Sequence, residues 1–449
     1  MATREALSAL FGHLSKGRDP LNTYKKIALL TPYNGNNLGD AAIQDAVIVN
    51  IRKRYPDAEI CLITLWPEAT TKLHGVLSFP ITCLPHGNDA DAPTTVTHGL
   101  LSRVKAATKR SSLLYSALKR VYKQLAIAGR LPWLFCKEIV HIARAYKFMK
   151  DISLLVISGG GQLDDYWGGP WQHPYALFKW GLIARAVGAR YVFLSVGTCS
   201  LASRLSHFFI YHALRLATYR SYRDQTSKRL LEHMDFTRND AVYPDLAFSY
   251  VNHSTGSRNV GRVVGVSPIA YLSQHGWPKV DLSVYVRYFG NLVHFISDLL
   301  RQGYSVVLFS TDLQDSKVVN DVVDSLAKDV SLNIDGRIWQ PRTDTLDELF
   351  AQLLKADYVV ASRLHGVLLS HLLYIPVLAV SYDRKVDTHM RDMGLSEYCL
   401  DIHNLETMSL LKAFELLTMN AGLIRSELKN RHIEYAHALE RQYDFVLGT

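Results

Sequence analysis

The sequence predicts an α/β protein built from two Rossmann-like, doubly wound domains that face one cleft. Apolar strand segments alternate with helical segments along most of the chain, which is typical of parallel sheets covered by helices. A polar stretch at residues 251–260 separates two such runs, and 449 residues are enough for two domains. We therefore predict an N-terminal domain at residues 1–252 and a C-terminal domain at residues 260–449 that ends in helices.

The composition indicates a globular protein without a disulfide framework. Hydrophobic residues make up 48% of the chain, and the five cysteines are isolated, with no CxxC spacing. No apolar leader precedes a cleavage site, and no run of 18 apolar residues occurs. We expect a cytoplasmic protein without a membrane-spanning helix.

The positive charge is concentrated in a helical insertion at about residues 100–150 of the predicted N-terminal domain. The net charge is +9, and residues 101–150 hold twelve lysines and arginines against the single acid Glu138. Apolar residues recur opposite the basic ones at helical spacing, which predicts an amphipathic cationic helix. Either the charges form a solvated face, or the segment contacts an anionic membrane surface. Nucleic acid is not an expected partner, because no stacking aromatics interleave the charges in a known motif.

The first strand, KKIALLTP at residues 25–32, leads into a glycine-containing turn and then a helix. Asn36, Gly39 and Asp40 lie in this turn. Asp40 either caps the helix or orients and deprotonates a hydroxyl group of a substrate. Both interpretations stay open.

A triple glycine, Gly159, Gly160 and Gly161, directly follows the buried strand SLLVIS at residues 153–158. Such a loop lets a ligand approach the backbone closely, although it equally suits a tight turn. His173 follows about a dozen residues later, and it is a candidate acid, base or phosphate ligand among aromatic residues that fit either sugar stacking or packing.

In the second run, an apolar strand ends at Arg363, His365 and Gly366, where a helix begins. Ligands of open parallel sheets bind at this edge, and a cation beside an imidazole suits an anion that gains or loses a proton. Lys385 follows the next strand, and Arg223 ends a strand of the first domain. Purely structural roles are the alternatives. The histidine would cap a helix that starts at Gly366, both arginines would form ion pairs, and the lysine would lie at the surface.

Seven motifs together resemble the polysaccharide pyruvyl transferase family, whose two Rossmann-like domains are similar to the GT-B arrangement. The motifs follow one another over most of the chain, each at a strand end, and residues 100–150 do not fit the family pattern. They are NNLGDAAIQ (36–44), SGGGQLDD (158–165), SVGT (195–198), SYRDQTS (221–227), YPDLAF (243–248), SRLHG (362–366) and AVSYDRKV (379–386).

The resemblance implies that the enolpyruvyl unit of phosphoenolpyruvate moves onto two hydroxyls of a glycan sugar, which forms a pyruvate ketal and releases phosphate. The C-terminal domain would bind this donor. If the basic segment contacts a membrane, the natural reason is an acceptor sugar displayed on a lipid carrier at the inner membrane face. No cofactor is expected, and no metal either, because the sequence has no cluster with ligand spacing. The expected catalytic residues are His365, Arg363, Arg223 and His173, and the expected substrate-binding residues are Asn36, Gly39, Asp40, Gly159, Gly160, Gly161 and Lys385.

Two other functions stay open. One is a GT-B-type glycosyltransferase that uses a nucleotide sugar, with Arg363 on the diphosphate. The other is a non-catalytic, membrane-associated assembly factor for polymer synthesis, in which the basic helices carry the function. The absence of a GxxxxGK[ST] loop argues against a P-loop hydrolase.

Overall fold

The computed structural model describes most of both predicted domains. It covers residues 24–33, 35, 37–84, 132–165, 168–198, 201–250, 261–273, 280–332, 334–341 and 343–448. Asn36, residues 101–131 of the basic segment and the predicted domain boundary lie outside these ranges, so the predictions made for them stay predictions.

The first sheet has seven parallel strands among the described residues. In space their order is β3-β2-β1-β4-β5-β6-β7. The strands are β1 (Lys26–Leu30), β2 (Glu59–Thr64), β3 (Leu77–Pro80), β4 (Leu154–Ser158), β5 (Arg190–Val196), β6 (Tyr219–Tyr222) and β7 (Ala241–Val242).

Helices cover both faces of this sheet. They are α1 (Leu38–Arg54), α2 (Pro67–His74), α3 (132–149), α4 (His173–Val187), α5 (Arg204–Leu216) and α6 (Gln225–Glu232), followed by a short 3-10 turn (Leu246–Ser249). The helix α1 begins after Asn37, whose side-chain oxygen accepts hydrogen bonds from the backbone N–H groups of Gly39 and Asp40. The interpretation of Asp40 as the cap is therefore wrong, because Asn37 holds that position.

The second sheet is also entirely parallel in the described part of the chain, with the order β10-β9-β8-β11-β12-β13. Its strands are β8 (Val263–Ser267), β9 (Ser305–Leu308), β10 (Ile338–Trp339), β11 (Tyr358–Ala361), β12 (Val377–Ser381) and β13 (Cys399–Asp401). Its helices are α7 (Leu282–Arg301), α8 (Ser316–Ala327), α9 (Leu346–Leu353), α10 (Leu364–Leu372), α11 (Arg384–Asp392), α12 (Thr407–Met419) and α13 (Ala421–Leu447).

Central strands of both sheets are buried along their whole length, as expected for parallel sheets covered on both faces. In each sheet the strand order reverses once, between β1 and β4 and between β8 and β11. Ligands bind at such switch points, beyond the carboxyl ends of the strands. The prediction of two doubly wound α/β domains is confirmed.

Polar groups join the halves of the molecule in two regions of the described chain. At the cleft, the Leu38 N–H donates to the Thr311 carbonyl over 2.9 Å, and Asn37 forms an antiparallel bridge with Asp312. At the other contact, α13 returns to the first sheet, where Asp444 pairs with Arg54 of α1. These contacts bring the first turn of α1 against the second domain. Within the described ranges, no helix is both long and apolar enough to cross a bilayer.

Candidate active site

His365 of the second domain lies directly on the backbone of the first domain. The helix α10 begins at Leu364, so His365 belongs to its first turn and does not cap a helix at Gly366. A Cβ atom placed on Gly39 would lie 1.9 Å from His365 Cγ. Only glycine allows this approach, because any side chain would displace the imidazole.

The glycine loop approaches α1 beside that contact. A Cβ atom on Gly160 would lie 3.6 Å from Asp40 Oδ1, and one on Gly159 would lie 2.9 Å from the Ile43 side chain. Gly159 and Gly160 have positive φ angles of 57° and 69°, respectively, which favour glycine. Gly161 is exposed beside Asp164. The turn before α1, the glycine loop and the start of α10 therefore meet at one place, as the strand ends predict.

Arg223 and Lys385 line one pocket from opposite domains. Arg223 extends over the backbone of Gly197, where an added Cβ atom would lie 2.7 Å from its Nη2 atom. Its guanidinium lies 3.5 Å from Asp224 and 3.6 Å from Asp245. The pocket lining comprises Arg223, Asp224, Pro244, Asp245, Phe248, Leu364, Leu368, Lys385, Thr388, His389, Asp392 and Tyr435.

Arg363 forms the ion pair that the sequence left open as an alternative. Its Nε and Nη2 atoms donate to both carboxylate oxygens of buried Asp315 over 2.7 and 3.2 Å, and Asp312 lies 3.5 Å away. Burial opposes the charge of Arg363, but the two carboxylates hold its pKa above its ordinary value. Its role as a donor clamp stays a prediction.

The imidazole of His365 is held neutral by its surroundings. Burial, followed by the positive charges of Arg223, Lys385 and Arg363, lowers the pKa of His365 to about 3. Its Nε2 atom is covered and has no hydrogen-bond partner among the described residues. An uncharged ring with an unpaired nitrogen beside several cations is arranged to receive a polar ligand.

The pKa of Asp40 is shifted in the opposite direction to that of His365. Burial raises the pKa of its carboxyl to about 7, the charges of Asp312 and Asp245 add to the effect, and Lys385 and Arg223 oppose it. A carboxyl group that titrates near neutral pH can both give and take a proton.

A pair of buried histidines lies at the pocket. His371 Nδ1 and His389 Nε2 are 3.1 Å apart, and their rings stack with centroids separated by 5.2 Å. Burial lowers the pKa of His389 to about 3, with a further contribution from Arg223. His389 lines the pocket and lies one helical turn after Lys385.

His173 is the first residue of α4 and contacts Gln162 through Nε2 over 2.8 Å. Gln162 directly follows the glycine loop, so His173 lies beside the end of that loop. This contact places it in the first domain, and its catalytic role stays a prediction.

Four residues of the site were not among those predicted from the sequence: Asp245, Asp312, Asp315 and His389. Asp245 lies in the YPDLAF motif, and Asp312 follows the end of β9, so the strand-end signal that selected Arg363 would have found both. His389 shares a helix face with Lys385 at i, i+4 spacing.

Solved structures with the same architecture include a UDP-GlcNAc 2-epimerase from Neisseria meningitidis bound to UDP-GlcNAc. It is 11% identical, with a TM-score of 0.55 over 94% of this chain and 99% of that chain. A glycosyltransferase from Rickettsia africae ESF-5 is 8% identical, with a TM-score of 0.53 over 95% and 99%. A UDP-GlcNAc 2-epimerase from Methanocaldococcus jannaschii is 10% identical, with a TM-score of 0.51 over 87% and 92%. These similarities show the GT-B-type fold alone.

Sequence similarity gives a narrower assignment than the fold. The model of the polysaccharide pyruvyl transferase family matches residues 37–384, which is more than half of the chain. The match extends from the cap of α1 to the start of α11, so it contains the glycine loop, Arg223 and His365. The chain therefore belongs to the polysaccharide pyruvyl transferase family.

Proposed function

We propose that this protein transfers the enolpyruvyl group of phosphoenolpyruvate to two hydroxyls of one glycan sugar, forming a pyruvate ketal and free phosphate. The observation that carries the proposal is the neutral imidazole of His365, which lies beside three cationic side chains and against Gly39 of the facing domain.

The charge distribution suits the donor. Phosphoenolpyruvate carries a phosphate and a carboxylate on three carbons, so its site needs several cations within a short distance. Arg223 and Lys385 line the pocket from opposite sides, and Arg363 begins the helix that carries His365. In this proposal Arg223 and Lys385 bind the donor, while Arg363 is held by Asp315 at the start of the helix that carries His365. No metal or cofactor is included.

Donor binding would activate His365. Burial lowers its pKa in the free protein and the cations lower it further, so an anion that neutralises the cations removes their contribution and favours the imidazolium. The imidazolium then donates its proton to the methylene carbon of the donor, and the adjacent carbon becomes an oxocarbenium-like centre. One sugar hydroxyl attacks this centre and gives up its proton, and phosphate leaves as the carbon–oxygen bond breaks. The second hydroxyl then closes the ketal ring as its proton passes to His365, which is neutral at this stage.

In this proposal Asp40 serves the acceptor side of the reaction. It lies beside Gly160, on the wall of the cleft opposite α10. With its pKa raised to about 7, a fraction of Asp40 is ionised near neutral pH and can accept the proton of an attacking hydroxyl. The glycine loop would let the sugar approach the backbone on the same wall.

The test is turnover with defined donors. Purified protein is incubated with phosphoenolpyruvate, or with nucleotide sugars, and with galactose- or glucose-type acceptors, while phosphate release and product mass are measured. We expect phosphate release and a ketal product when phosphoenolpyruvate is the donor, and neither when a nucleotide sugar is the donor. Turnover with nucleotide sugars only would instead support the glycosyltransferase alternative, which the neighbouring folds do not argue for at 8–11% identity.

The other alternative, a non-catalytic assembly factor, is tested by complementation in a polymer-producing host that lacks the protein. Loss of function in His365→Ala supports catalysis. Retained function in that variant, with loss on charge reversal at Lys119, Arg120 and Lys123, would contradict it.

A further inference from the structure

The helix α3 turns a broad apolar face toward solvent. Six of its large apolar side chains have exposed fractions between 36% and 67%, although such residues are normally buried in a helix of a globular domain. Phe135 (67%), Ile139 (50%), Ile142 (36%) and Tyr146 (46%) recur at helical spacing and form this face. Trp133 (57%) and Val140 (48%) are exposed on another side of the same helix.

The neighbouring face of α3 is held by the first domain. Glu138 accepts from Lys179 over 2.8 Å and from the Tyr175 hydroxyl over 3.1 Å. The His141 ring contacts the Pro80 carbonyl over 3.0 Å. Because these polar contacts are largely buried, the helix cannot rotate to bury its apolar face without breaking them. The exposed face is therefore a fixed feature of the fold.

The charges around the exposed face are all positive. Lys137, Arg144, Lys147 and Lys150 are exposed, and the Lys137 ammonium lies 3.7 Å from the centre of the Trp133 ring. Glu138 is the one acid in residues 132–150, and it is buried in its pair with Lys179. An apolar face flanked by lysine and arginine is typical of helices that lie in the interface of a bilayer.

We propose that α3 is an interfacial helix that docks this protein on an anionic lipid bilayer. Charge complementarity selects this occupant. A second copy joined through the same face would place like charges together. Residues 101–131, which precede the helix, contain eight lysines and arginines and no acid, so they carry the same sign. Anionic lipid supplies the opposite charge, and its acyl region accepts the apolar side chains.

The position of α3 relates this surface to the cleft. The helix leads directly into β4, so it runs antiparallel to that strand and its first turns lie toward the carboxyl edge of the sheet. Its contact with Tyr175, in the first turn of α4, is consistent with that direction. Exposed Trp171 packs against the same tyrosine ring, which extends the apolar surface toward the glycine loop. Docking would hold this edge of the first domain near the bilayer, whatever reaction the cleft performs.

Flotation with lipid vesicles tests the proposal on the full-length protein. We expect binding to phosphatidylcholine vesicles that contain 30 mol% phosphatidylglycerol (roughly the anionic content that gives a strong surface potential). Binding should fall as salt increases and should be weak on pure phosphatidylcholine. The double variant Phe135→Glu/Ile139→Glu should bind at least about tenfold more weakly.

The matched control is Val286→Glu/Leu423→Glu, which changes two equally apolar residues of α7 and α13 that are each 63% exposed. This control should float like the unchanged protein. A charge variant, Lys147→Glu/Lys150→Glu, alters only exposed side chains and should also lose binding, so a folding defect in the first variant would not hide the result. Thermal unfolding and turnover of a water-soluble acceptor report whether each variant is folded and active.

Three results would overturn the proposal. Equal flotation of all variants would place the lipid contact elsewhere in the chain. Equal binding to neutral and anionic vesicles would remove the electrostatic argument. No flotation of the unchanged protein, together with a dimer that the Phe135→Glu/Ile139→Glu variant abolishes, would make α3 a protein interface.

Discussion

The two contacts between the halves of this molecule use polar residues in opposite ways. Where α13 returns to the first sheet, unlike charges meet directly: Arg54 pairs with Asp444 over 2.5 Å, and Lys53 pairs with Glu440 over 2.6 Å. The buried amide of Gln442 bonds to the hydroxyls of Ser195 and Ser221. Each group is satisfied by its partner, as a structural contact requires.

At the cleft, groups of like charge lie close together. Burial raises the pKa of Asp40, Asp245 and Asp312, and the charges of Asp312 and Asp245 raise the pKa of Asp40 further. His365 is neutral beside several cations. The α13 contact therefore holds the domains together, whereas the cleft retains unfavourable electrostatics that an anionic ligand and a proton relieve.

The largest effect is expected for His365→Asn. Loss of a general acid typically lowers turnover by about 10²- to 10⁴-fold. The variant should unfold within a few degrees of the unchanged protein, because Asn fits the space beside Gly39. Steady-state phosphate release and thermal unfolding measure the two quantities. Turnover within threefold of the unchanged protein would remove His365 from the reaction.

The second prediction concerns the close approach at Gly39. In Gly39→Ala the new Cβ atom would lie 1.9 Å from His365 Cγ, so the imidazole or the domains must shift. We expect a loss of about 1–3 kcal/mol in the free energy of unfolding, as for other overpacked sites, and a fall in turnover.

Gly290→Ala is the matched control, because Gly290 also lies in a helix and its Cβ position has open space. That change should stabilise by up to about 1 kcal/mol and leave turnover unchanged. Urea unfolding of both variants provides the comparison, and equal stability of the two would contradict the proposed close contact.

The third prediction is a gain in stability for Asp40→Asn that depends on pH. The folded-state pKa of Asp40 is raised to about 7 from 3.8, so the folded protein binds more protons than the unfolded chain between those values. Stability contributed by this group is full below pH 3.8 and is lost as pH rises through 7. The variant should therefore gain stability relative to the unchanged protein at pH 8, by about 1–3 kcal/mol, and less at pH 5.

Turnover should fall in the same Asp40→Asn variant. Urea unfolding at the two pH values measures the gain. A variant that is equally destabilised at both pH values would show that Asp40 is a structural residue.

The smallest catalytic effect is expected at the α13 contact. Gln442→Met leaves the hydroxyls of Ser195 and Ser221 without their amide partner, which should cost about 1–3 kcal/mol of stability. The pH profile of turnover should keep its shape, because no titrating group of the cleft is changed. A shifted profile would mean that the two contacts are coupled.

Much of the site was predictable because strand ends are local features. Gly39, Gly160 and His365 each follow an apolar strand, and the carboxyl ends of parallel strands share one edge of a sheet. Their convergence therefore follows from the order of elements. The partner of Arg363 was not predictable in this way, since Asp315 lies 48 residues earlier in a different loop. The start of α10 at Leu364 also differed from the expected start at Gly366, because helix boundaries depend on packing as well as propensity.

The two doubly wound domains, the positions of the motifs and the concentration of positive charge before β4 follow from the sequence. These features depend on apolar periodicity, glycine positions and residue counts, which are read along the chain. The neutral state of His365, the raised pKa of Asp40 and the exposed apolar face of α3 follow from the folded arrangement alone. Each of these depends on burial and on charges that are distant in sequence and close in space.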